Sequence, residues 1–210
     1  MMKVLQACAV ASLTSALVAC GGGGGDDSPV PVGPLSAFAG TWVGECKEGV
    51  RERLITTVPN EEGTSIKIEN FIDYFAAANC SGDSVAYLYY SGASATGLSK
   101  GQTNVSMPGS PSQSVQAETV EVTVNPGQVR VWGSNVSGTS FTKNGVKTTR
   151  WCVGGVAGKE LCFDESDVVL TAGSTMSALY ANGDTLYTFQ DDDRNGKFEA
   201  SGTFKKKLMP

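Results

Sequence analysis

Apolar and polar residues alternate along much of the chain after residue 39, and this pattern predicts β-strands. In residues 66–74, apolar side chains alternate with Lys67, Glu69 and Asp73. Successive side chains of a strand point to opposite faces of its sheet, so such a segment has one buried and one solvated face. No stretch of this region has the three- and four-residue apolar spacing of an amphipathic helix. The sequence therefore predicts an all-β fold.

Turn residues separate the predicted strands. Strands are predicted from Trp42 to Val43 and at 50–58, 66–74, 85–90, 120–124, 129–132, 140–142, 146–151, 178–180, 185–189 and 197–204. Three Asn-Gly pairs favour type I′ hairpin turns, at Asn144-Gly145, Asn182-Gly183 and Asn195-Gly196. An Asn-Pro-Gly turn at 125–127 predicts that 120–124 and 129–132 form a hairpin. The result is about nine to eleven strands, mostly in sequential hairpins.

Residues 91–114 break this pattern, because they are mostly Gly, Ser, Thr and Pro with few apolar side chains. We expect them to form a long surface loop. Recognition residues are common in loops that are mounted on a rigid β scaffold, so this loop is a candidate contact region.

Sequential antiparallel strands leave exposed edges unless the sheet closes on itself. We therefore expect an antiparallel up-and-down barrel, with a β-sandwich as the alternative. The segment Leu35-x-x-Phe38-x-Gly40-x-Trp42 resembles the first-strand Gly-x-Trp motif of lipocalins. This resemblance, which covers eight residues, implies that Trp42 plugs one end of the barrel and that a basic residue of the closing strand packs over it. The candidates for that basic residue are Lys205, Lys206 and Lys207.

The N-terminal segment predicts export. Lys3 precedes an uncharged, largely apolar stretch at 4–19, which has the length of a signal-peptide core and is shorter than the about 20 residues of a spanning helix. It ends in Leu17-Val18-Ala19-Cys20, which resembles the lipobox of bacterial lipoproteins. The resemblance implies removal of residues 1–19 and acylation of Cys20. It also implies anchoring in the outer membrane of a Gram-negative envelope, because Gly rather than Asp follows the cysteine.

The domain organisation follows from composition. Residues 20–34, rich in Gly and Pro, are predicted to be a tether. Residues 35–210 are predicted to form a single β domain. After removal of Cys8 and acylation of Cys20, four of the six cysteines remain: Cys46, Cys80, Cys152 and Cys162. Four cysteines allow three connectivities, and the oxidising periplasm favours disulfides. Because Cys152 and Cys162 flank a Gly-rich turn, we predict Cys152–Cys162 and Cys46–Cys80.

Charge and composition exclude several function classes. The chain has 16 Lys and Arg, 21 Asp and Glu, a net charge of -5 and no His. A nucleic-acid partner is not expected, since it would require a basic footprint. The lack of His excludes Ser-His-Asp and Cys-His catalysis and His-based zinc sites. Neither a nucleotide-binding glycine loop nor a Gly-x-Ser-x-Gly elbow occurs in the sequence.

Two groups of residues are candidate sites. Asp191, Asp193 and Asn195, followed by Gly, resemble the first half of a calcium loop, but an acidic hairpin turn explains the same residues. Trp42, Tyr87 and Tyr89 are candidates for the wall of a ligand cavity if the barrel is open, and for core residues if it is packed. No catalytic residue is predicted; Glu45, Glu52, Glu118 and Asp164 are available as carboxylates without any pattern that singles them out.

These observations favour a binding protein over an enzyme. We expect a lipid-anchored envelope protein whose β-barrel binds a small apolar ligand or a partner protein, without a required cofactor. The alternatives are a structural or accessory lipoprotein with a packed interior and, third, a carboxylate-based hydrolase. Interior volume separates the first two, because an open barrel leaves a cavity of a few hundred Å³.

Overall fold

The computed structural model describes residues 32–191 and 194–207. In these ranges the chain forms thirteen β-strands and two short 3₁₀ turns, Ser36–Phe38 and Glu165–Asp167. The strands are β1 (Gly40–Val43), β2 (Val50–Thr57), β3 (Ser65–Phe75), β4 (Ser84–Ser91), β5 (Ser94–Met107), β6 (Ser110–Asn125), β7 (Gln128–Gly133), β8 (Val136–Lys143), β9 (Val146–Val156), β10 (Lys159–Asp164), β11 (Gly173–Asn182), β12 (Thr185–Gln190) and β13 (Glu199–Lys206). The predicted all-β class is confirmed, with more strands than expected.

Eight of these strands pair in a ring. The antiparallel neighbours follow the order β1, β2, β3, β5, β6, β11, β12 and β13, and β13 pairs again with β1. This is chain order with β4 and β7 to β10 left out, which is the up-and-down arrangement expected for a barrel. Closure pairs the edges that an open sheet would expose.

The strands outside the ring build a second layer. β4 pairs with the second half of β3, and β7 pairs with β4. The three-stranded sheet β8-β9-β10 packs on the face of these strands that presents Tyr74, Leu88 and Val129. The rings of Tyr74 and Phe163 stack there with centroids 6.3 Å apart. This part of the molecule has two sheets face to face, as in the sandwich alternative.

Two local predictions are wrong. Residues 91–114 do not form a long loop, because β5 and the first part of β6 pair there as a hairpin. Most side chains on both faces of this hairpin are exposed, so its strands show no alternation of apolar and polar residues.

The Asn-Pro-Gly turn does not close a hairpin either: β6 pairs with β5 and β11, whereas β7 crosses to β4. Turn chemistry reports a change of direction but not the partner that the next strand finds.

Other hairpins are confirmed. β8 pairs with β9 across Asn144-Gly145, whose φ angles of 51° and 81° are both positive, as a type I′ turn requires. β11 pairs with β12, and β12 with β13. Both predicted disulfides are present, with S–S distances of 2.01 Å for Cys46–Cys80 and 2.06 Å for Cys152–Cys162.

The start of the described chain already contacts the body. The Gly33 N–H donates to Ser36 Oγ at 2.8 Å, and a Cβ at Gly33 would lie 1.9 Å from the Glu62 carbonyl oxygen. Only glycine tolerates this approach. Residues 32–34 of the predicted tether therefore lie against the domain, while residues 1–31, with the predicted signal and Cys20, lie outside the described ranges.

Candidate functional site

Trp42 closes one end of the ring and is part of its core. The side chain is 0% exposed and packs with Leu35 and Phe38 of the 3₁₀ turn. Its indole N–H donates to the Phe38 carbonyl oxygen at 2.9 Å and to Thr56 Oγ1 at 3.2 Å. Lys206 Nζ lies 5.4 Å from the centre of the indole ring, within the range of a cation–π contact. Trp42 is thus a core residue in this structure rather than part of a cavity wall.

Tyr87 and Tyr89 lie on a different face from Trp42. In β4 they alternate with Leu88, which is buried in the second core cluster, so both point away from it. The centroids of their rings are 5.9 Å apart, and the centroids of the Tyr87 and Phe71 rings are 6.4 Å apart in an edge-to-face arrangement. The structure therefore does not bring Trp42, Tyr87 and Tyr89 together around one cavity, although Tyr89 by itself lines the cavity described next.

A cavity lies where β3 changes partners. Ile68 of β3 pairs with Ala95 of β5, whereas Phe71 pairs with Tyr89 of β4. The two partner strands separate between these points, and we call this place the fork. The cavity at the fork has a volume of ≈ 240 Å³. Its wall is mostly apolar and consists of Ile68, Glu69, Asn70, Phe71, Tyr89, Tyr90, Ala93, Ser94, Ala95, Val122, Val124 and Leu170.

Asn70 supplies a polar group to this wall. Its Nδ2 donates to Glu52 Oε1 at 2.6 Å, which fixes the amide orientation, because a flipped amide would place two acceptor oxygens together. Asn70 Oδ1 is buried and accepts no hydrogen bond from the described residues. A buried acceptor without a donor costs about 1–3 kcal/mol. The fork therefore has an unsatisfied acceptor in one of its wall residues, and this oxygen lies beneath the cavity surface with almost no accessible area.

Two tyrosines near the fork are held in their neutral form. Burial, with the nearby Glu52 carboxylate as the second cause, raises the pKa of Tyr90. Burial also raises the pKa of Tyr74 well above its ordinary value, with Tyr90 as the smaller cause. Desolvation disfavours the phenolate in both cases. With the phenols neutral, the carboxylates of this region are Glu69, which lines the fork and pairs with Lys67, and Glu52, which binds Asn70.

A second, more open recess lies beside the same polar pair. It has a volume of ≈ 430 Å³, and its wall includes Val50, Glu52 and Ile72 on one side and Gly202 and Phe204 on the other. Glu52 faces this recess while its partner Asn70 faces the fork. The Asn70–Glu52 hydrogen bond thus joins the walls of two depressions.

The predicted calcium residues have local structural roles where they are described. Asp191 is 7% exposed, and its carboxylate accepts from the N–H groups of Asn195 at 2.9 Å and Gly196 at 3.0 Å. Asn195 Oδ1 accepts from the Lys197 N–H at 2.7 Å. These bonds are those of an acidic turn, the second explanation of the motif. Asp193 lies outside the described residues.

One group of potential metal ligands occurs in the described ranges. The ligand atoms of Cys152, Glu160 and Cys162 lie within 4.8 Å of one another, but the two sulfurs form a disulfide.

The other candidate carboxylates have separate partners. Asp164 is bound by Arg150 at 2.7 Å and by Lys143 at 3.0 Å, and these cations, Arg150 first, hold its pKa below the ordinary value. Glu118 accepts a hydrogen bond from Ser99 Oγ, and Glu45 is an exposed residue near Lys47. Of the four, Glu52 has the contacts that associate it with the fork.

Asn70 was not among the residues singled out from the sequence, although a signal exists. In β3 the inward positions are Ile66, Ile68, Asn70, Ile72 and Tyr74. An amide among the apolar residues that share one face of a strand indicates either a hydrogen-bonded core residue or a binding residue. The free oxygen distinguishes these cases, and only the fold reveals it.

Comparisons of the chain with protein-family models, with curated proteins and with solved structures find no match. Among the described residues, no helix has the length and apolar character needed to cross a membrane.

Proposed function

We propose that this protein is a lipid-anchored envelope protein that binds a small ligand in the cavity at the fork. The ligand has an apolar body and one hydrogen-bond donor, and the protein acts by binding rather than by catalysis. The observation that supports this proposal is the buried, unsatisfied Asn70 Oδ1 in a mostly apolar wall. Pockets with a few placed polar groups in an apolar lining are typical of small-molecule sites.

The size and chemistry of the cavity define the ligand class. Its volume of ≈ 240 Å³ is slightly below the about 300–1,000 Å³ of sites for drug-sized ligands. Because Asn70 Oδ1 has almost no accessible surface, a hydroxyl or an amide N–H of the ligand reaches it only if neighbouring wall side chains shift. The bond so formed would replace the hydrogen bond that this atom lost on folding. An additional carboxylate on the ligand is disfavoured, because Glu52 lies directly behind Asn70.

The proposed location rests on the N-terminal sequence and on the disulfides. Two disulfides are typical of proteins from oxidising compartments. The lipobox-like sequence before Cys20 supports a lipid anchor in the outer membrane, on its periplasmic face or at the cell surface. The contact of Lys206 with the Trp42 ring is the arrangement that the lipocalin-like motif implies. It supports a barrel that is closed at the Trp42 end and binds its ligand away from that end.

A structural lipoprotein with a filled interior is the second candidate. The observation in its favour is the close packing around Trp42: a Cβ at Gly97 would lie 2.5 Å from Val120 Cγ1 and 2.8 Å from Ile66 Cγ2. The two candidates differ in what they require of the fork, since a structural protein needs no occupant there.

The test uses the full chain, extracted from membranes in detergent. Small molecules are extracted from the purified protein and identified by mass spectrometry. Val122 lines the fork, so Val122→Phe should fill it and remove the bound species. Thr123 is the exposed next residue of the same strand, so Thr123→Phe is the matched control and should retain the species.

Two outcomes would contradict the binding proposal. The first is the absence of any stoichiometric small molecule together with no binding of a panel of alcohols and amides, which would favour the structural candidate. The second is turnover in a hydrolase screen that is lost in Glu52→Gln, which would assign the molecule to the enzymes.

The anchor requires a separate test. The wild-type protein should sediment with membranes, and Cys20→Ser should release it in soluble form, because two or more acyl chains are needed for stable anchoring. Membrane association that survives this substitution would contradict the lipid anchor without affecting the ligand proposal.

A further inference from the structure

The outer face of β2, β3, β4 and β7 presents two rows of side chains in register. Directly paired residues of neighbouring strands point to the same face. One row is Arg53, Phe71, Tyr89 and Arg130, and the next is Arg51, Asp73, Tyr87 and Trp132. We call these eight residues the Arg–aromatic face. They lie on the opposite side of the sheet from Ile72 and Leu88, which pack in the core.

The face has an excess of positive charge in a protein whose net charge is -5. Asp73 is neutralised by Arg53 through two hydrogen bonds of 2.7 and 2.8 Å. In the described ranges, no carboxylate forms an ion pair with Arg51 or Arg130. Arg51 Nε is also buried without a hydrogen-bond partner there. Arg130 donates to the Val129 carbonyl oxygen at 3.2 Å and to Gln128 Oε1, and the Arg51 guanidinium lies 4.6 Å from the centre of the Phe75 ring. Neither charge is therefore neutralised by a carboxylate of the described residues.

The aromatic residues form a fixed and partly open platform. The Arg53 guanidinium lies 4.3 Å from the centre of the Phe71 ring, and Tyr87 contacts both Phe71 and Tyr89. These contacts hold the rings in place, so little side-chain entropy is lost when a ligand binds. Trp132 pairs with Tyr87 and is 68% exposed. A large aromatic side chain at this exposure, beside other rings, marks a binding surface.

We propose that the Arg–aromatic face binds an acidic oligosaccharide. The apolar faces of sugar rings stack on Trp132 and Tyr87, and carboxylates of the sugar accept paired hydrogen bonds from Arg130 and Arg51. Arginine is the residue best suited to such bidentate recognition of a carboxylate. This surface shares Phe71 and Tyr89 with the wall of the cavity at the fork, but Arg51, Arg130 and Trp132 do not line that cavity. Neither proposal requires the other.

The spacing of the charges favours a glycan over a nucleic acid. β2 and β7 are three strand intervals of about 4.8 Å apart, and the rows of Arg51 and Arg130 are two residues, about 7 Å, apart along the strands. The backbone positions of Arg51 and Arg130 are therefore about 16 Å apart. Single-stranded nucleic acid needs a continuous cationic groove along its phosphates. Two widely spaced cations instead suit an acidic glycan in which the two contacted carboxylates are separated by intervening sugar units. The two disulfides are also typical of the extracytoplasmic compartments in which such glycans occur.

Calorimetric titration of the full-length protein in detergent tests the proposal. The acidic probes are oligogalacturonate, oligoalginate and a heparin-derived oligosaccharide. The comparison probes are a neutral glucan oligomer of equal length and single-stranded dT15. We expect at least one acidic oligosaccharide to bind tenfold or more tightly than the neutral oligomer and dT15. Trp132→Ala should weaken that binding at least tenfold, and Arg130→Gln should reduce the preference for the acidic over the neutral oligomer.

Val146→Ala is the matched control, because Val146 is another apolar residue with high exposure, 65%, but lies on β9. It should bind as the wild type does, and circular dichroism should show that all variants are folded. The proposal is overturned if no acidic probe binds, if dT15 binds more tightly, or if Trp132→Ala binds as the control does.

Discussion

The two ends of the strand ring are built from the same strands but satisfy their buried polar groups differently. At one end the Trp42 indole N–H has two acceptors, at 2.9 and 3.2 Å, and its side chain is fully buried. At the fork Asn70 Oδ1 has no donor from the described residues, and a cavity of ≈ 240 Å³ remains. β2 and β3 contribute to both ends through Thr56, Ile66, Glu52 and Asn70.

This difference suggests a division of roles within one sheet. A filled and fully hydrogen-bonded end stabilises the fold, whereas an incomplete end leaves a site whose missing partner is supplied by a ligand. Strained or unsatisfied groups concentrate at functional sites because the rest of the structure offsets their cost. Substitutions at the two ends should therefore have very different effects on stability.

The largest effect is expected at the closed end. Trp42→Ala removes a fully buried indole and should lower the free energy of unfolding by about 3–5 kcal/mol, measured by urea denaturation. Trp132→Ala is the matched control, since Trp132 is 68% exposed, and it should change stability by less than about 0.5 kcal/mol. Equal losses in the two variants would show that the closed end has no special role in stability.

The next largest effect concerns the loops at the opposite end from Trp42. Cys46 and Cys80 are 34 residues apart in sequence, and the chain-entropy relation assigns about 3–4 kcal/mol to closing such a loop. Replacing both by Ser should reduce stability by that amount. The double Ser variant at Cys152 and Cys162, which are 10 residues apart, should lose about 1 kcal/mol less. A larger loss for the shorter loop would contradict this ranking.

The sequence is a good guide to the closed end and a poor one to the fork. The resemblance to the lipocalin Gly-x-Trp motif implies Trp42 at a barrel end with a lysine over it, and the pairing of β1 with β13 brings Lys206 to that position. The cysteine pairs are also predictable, because loop length and compartment restrict them.

The fork depends on which strands pair with each part of β3, which periodicity cannot report. β5 and the first part of β6 are rich in Gly, Ser and Thr, and their strands form through backbone hydrogen bonds with side chains in solvent. Only when they pair does β3 acquire two successive partners and a gap between them. Whether Asn70 Oδ1 has a hydrogen-bond donor depends on that gap. The sequence can therefore point to Asn70 as an unusual polar residue on an apolar strand face, but not to its unsatisfied hydrogen bond.

An intermediate effect is expected from pH. The pKa values of Tyr90 and Tyr74 are raised in the fold, whereas tyrosines of the unfolded chain ionise near about pH 10. The folded state therefore retains protons that the unfolded state loses, and stability should be full below about pH 10 and fall as the pH rises further. Urea midpoints between about pH 9 and 11 should fall less in a Tyr74→Phe, Tyr90→Phe double variant. The same pH dependence in both proteins would contradict the assignment.

The smallest effect is expected at Asn70 itself. Asn70→Leu removes both the unsatisfied oxygen and the bond to Glu52, and these two contributions oppose each other. The free energy of unfolding should change by less than about 1 kcal/mol. A loss as large as that of Trp42→Ala would indicate that Asn70 is a structural residue and that the two ends do not differ as described.

The most direct measurement compares two probes that differ in one donor. Octan-1-ol and 1-methoxyheptane have the same number of heavy atoms, but only the alcohol has an O–H to donate to Asn70 Oδ1. We expect the full-length protein to bind octan-1-ol about threefold to tenfold more tightly, the ratio given by about 0.7–1.4 kcal/mol for one hydrogen bond, and Asn70→Leu to abolish the preference. Equal binding of the two probes to the wild type, or an unchanged preference in Asn70→Leu, would contradict the assignment of the fork as a ligand site.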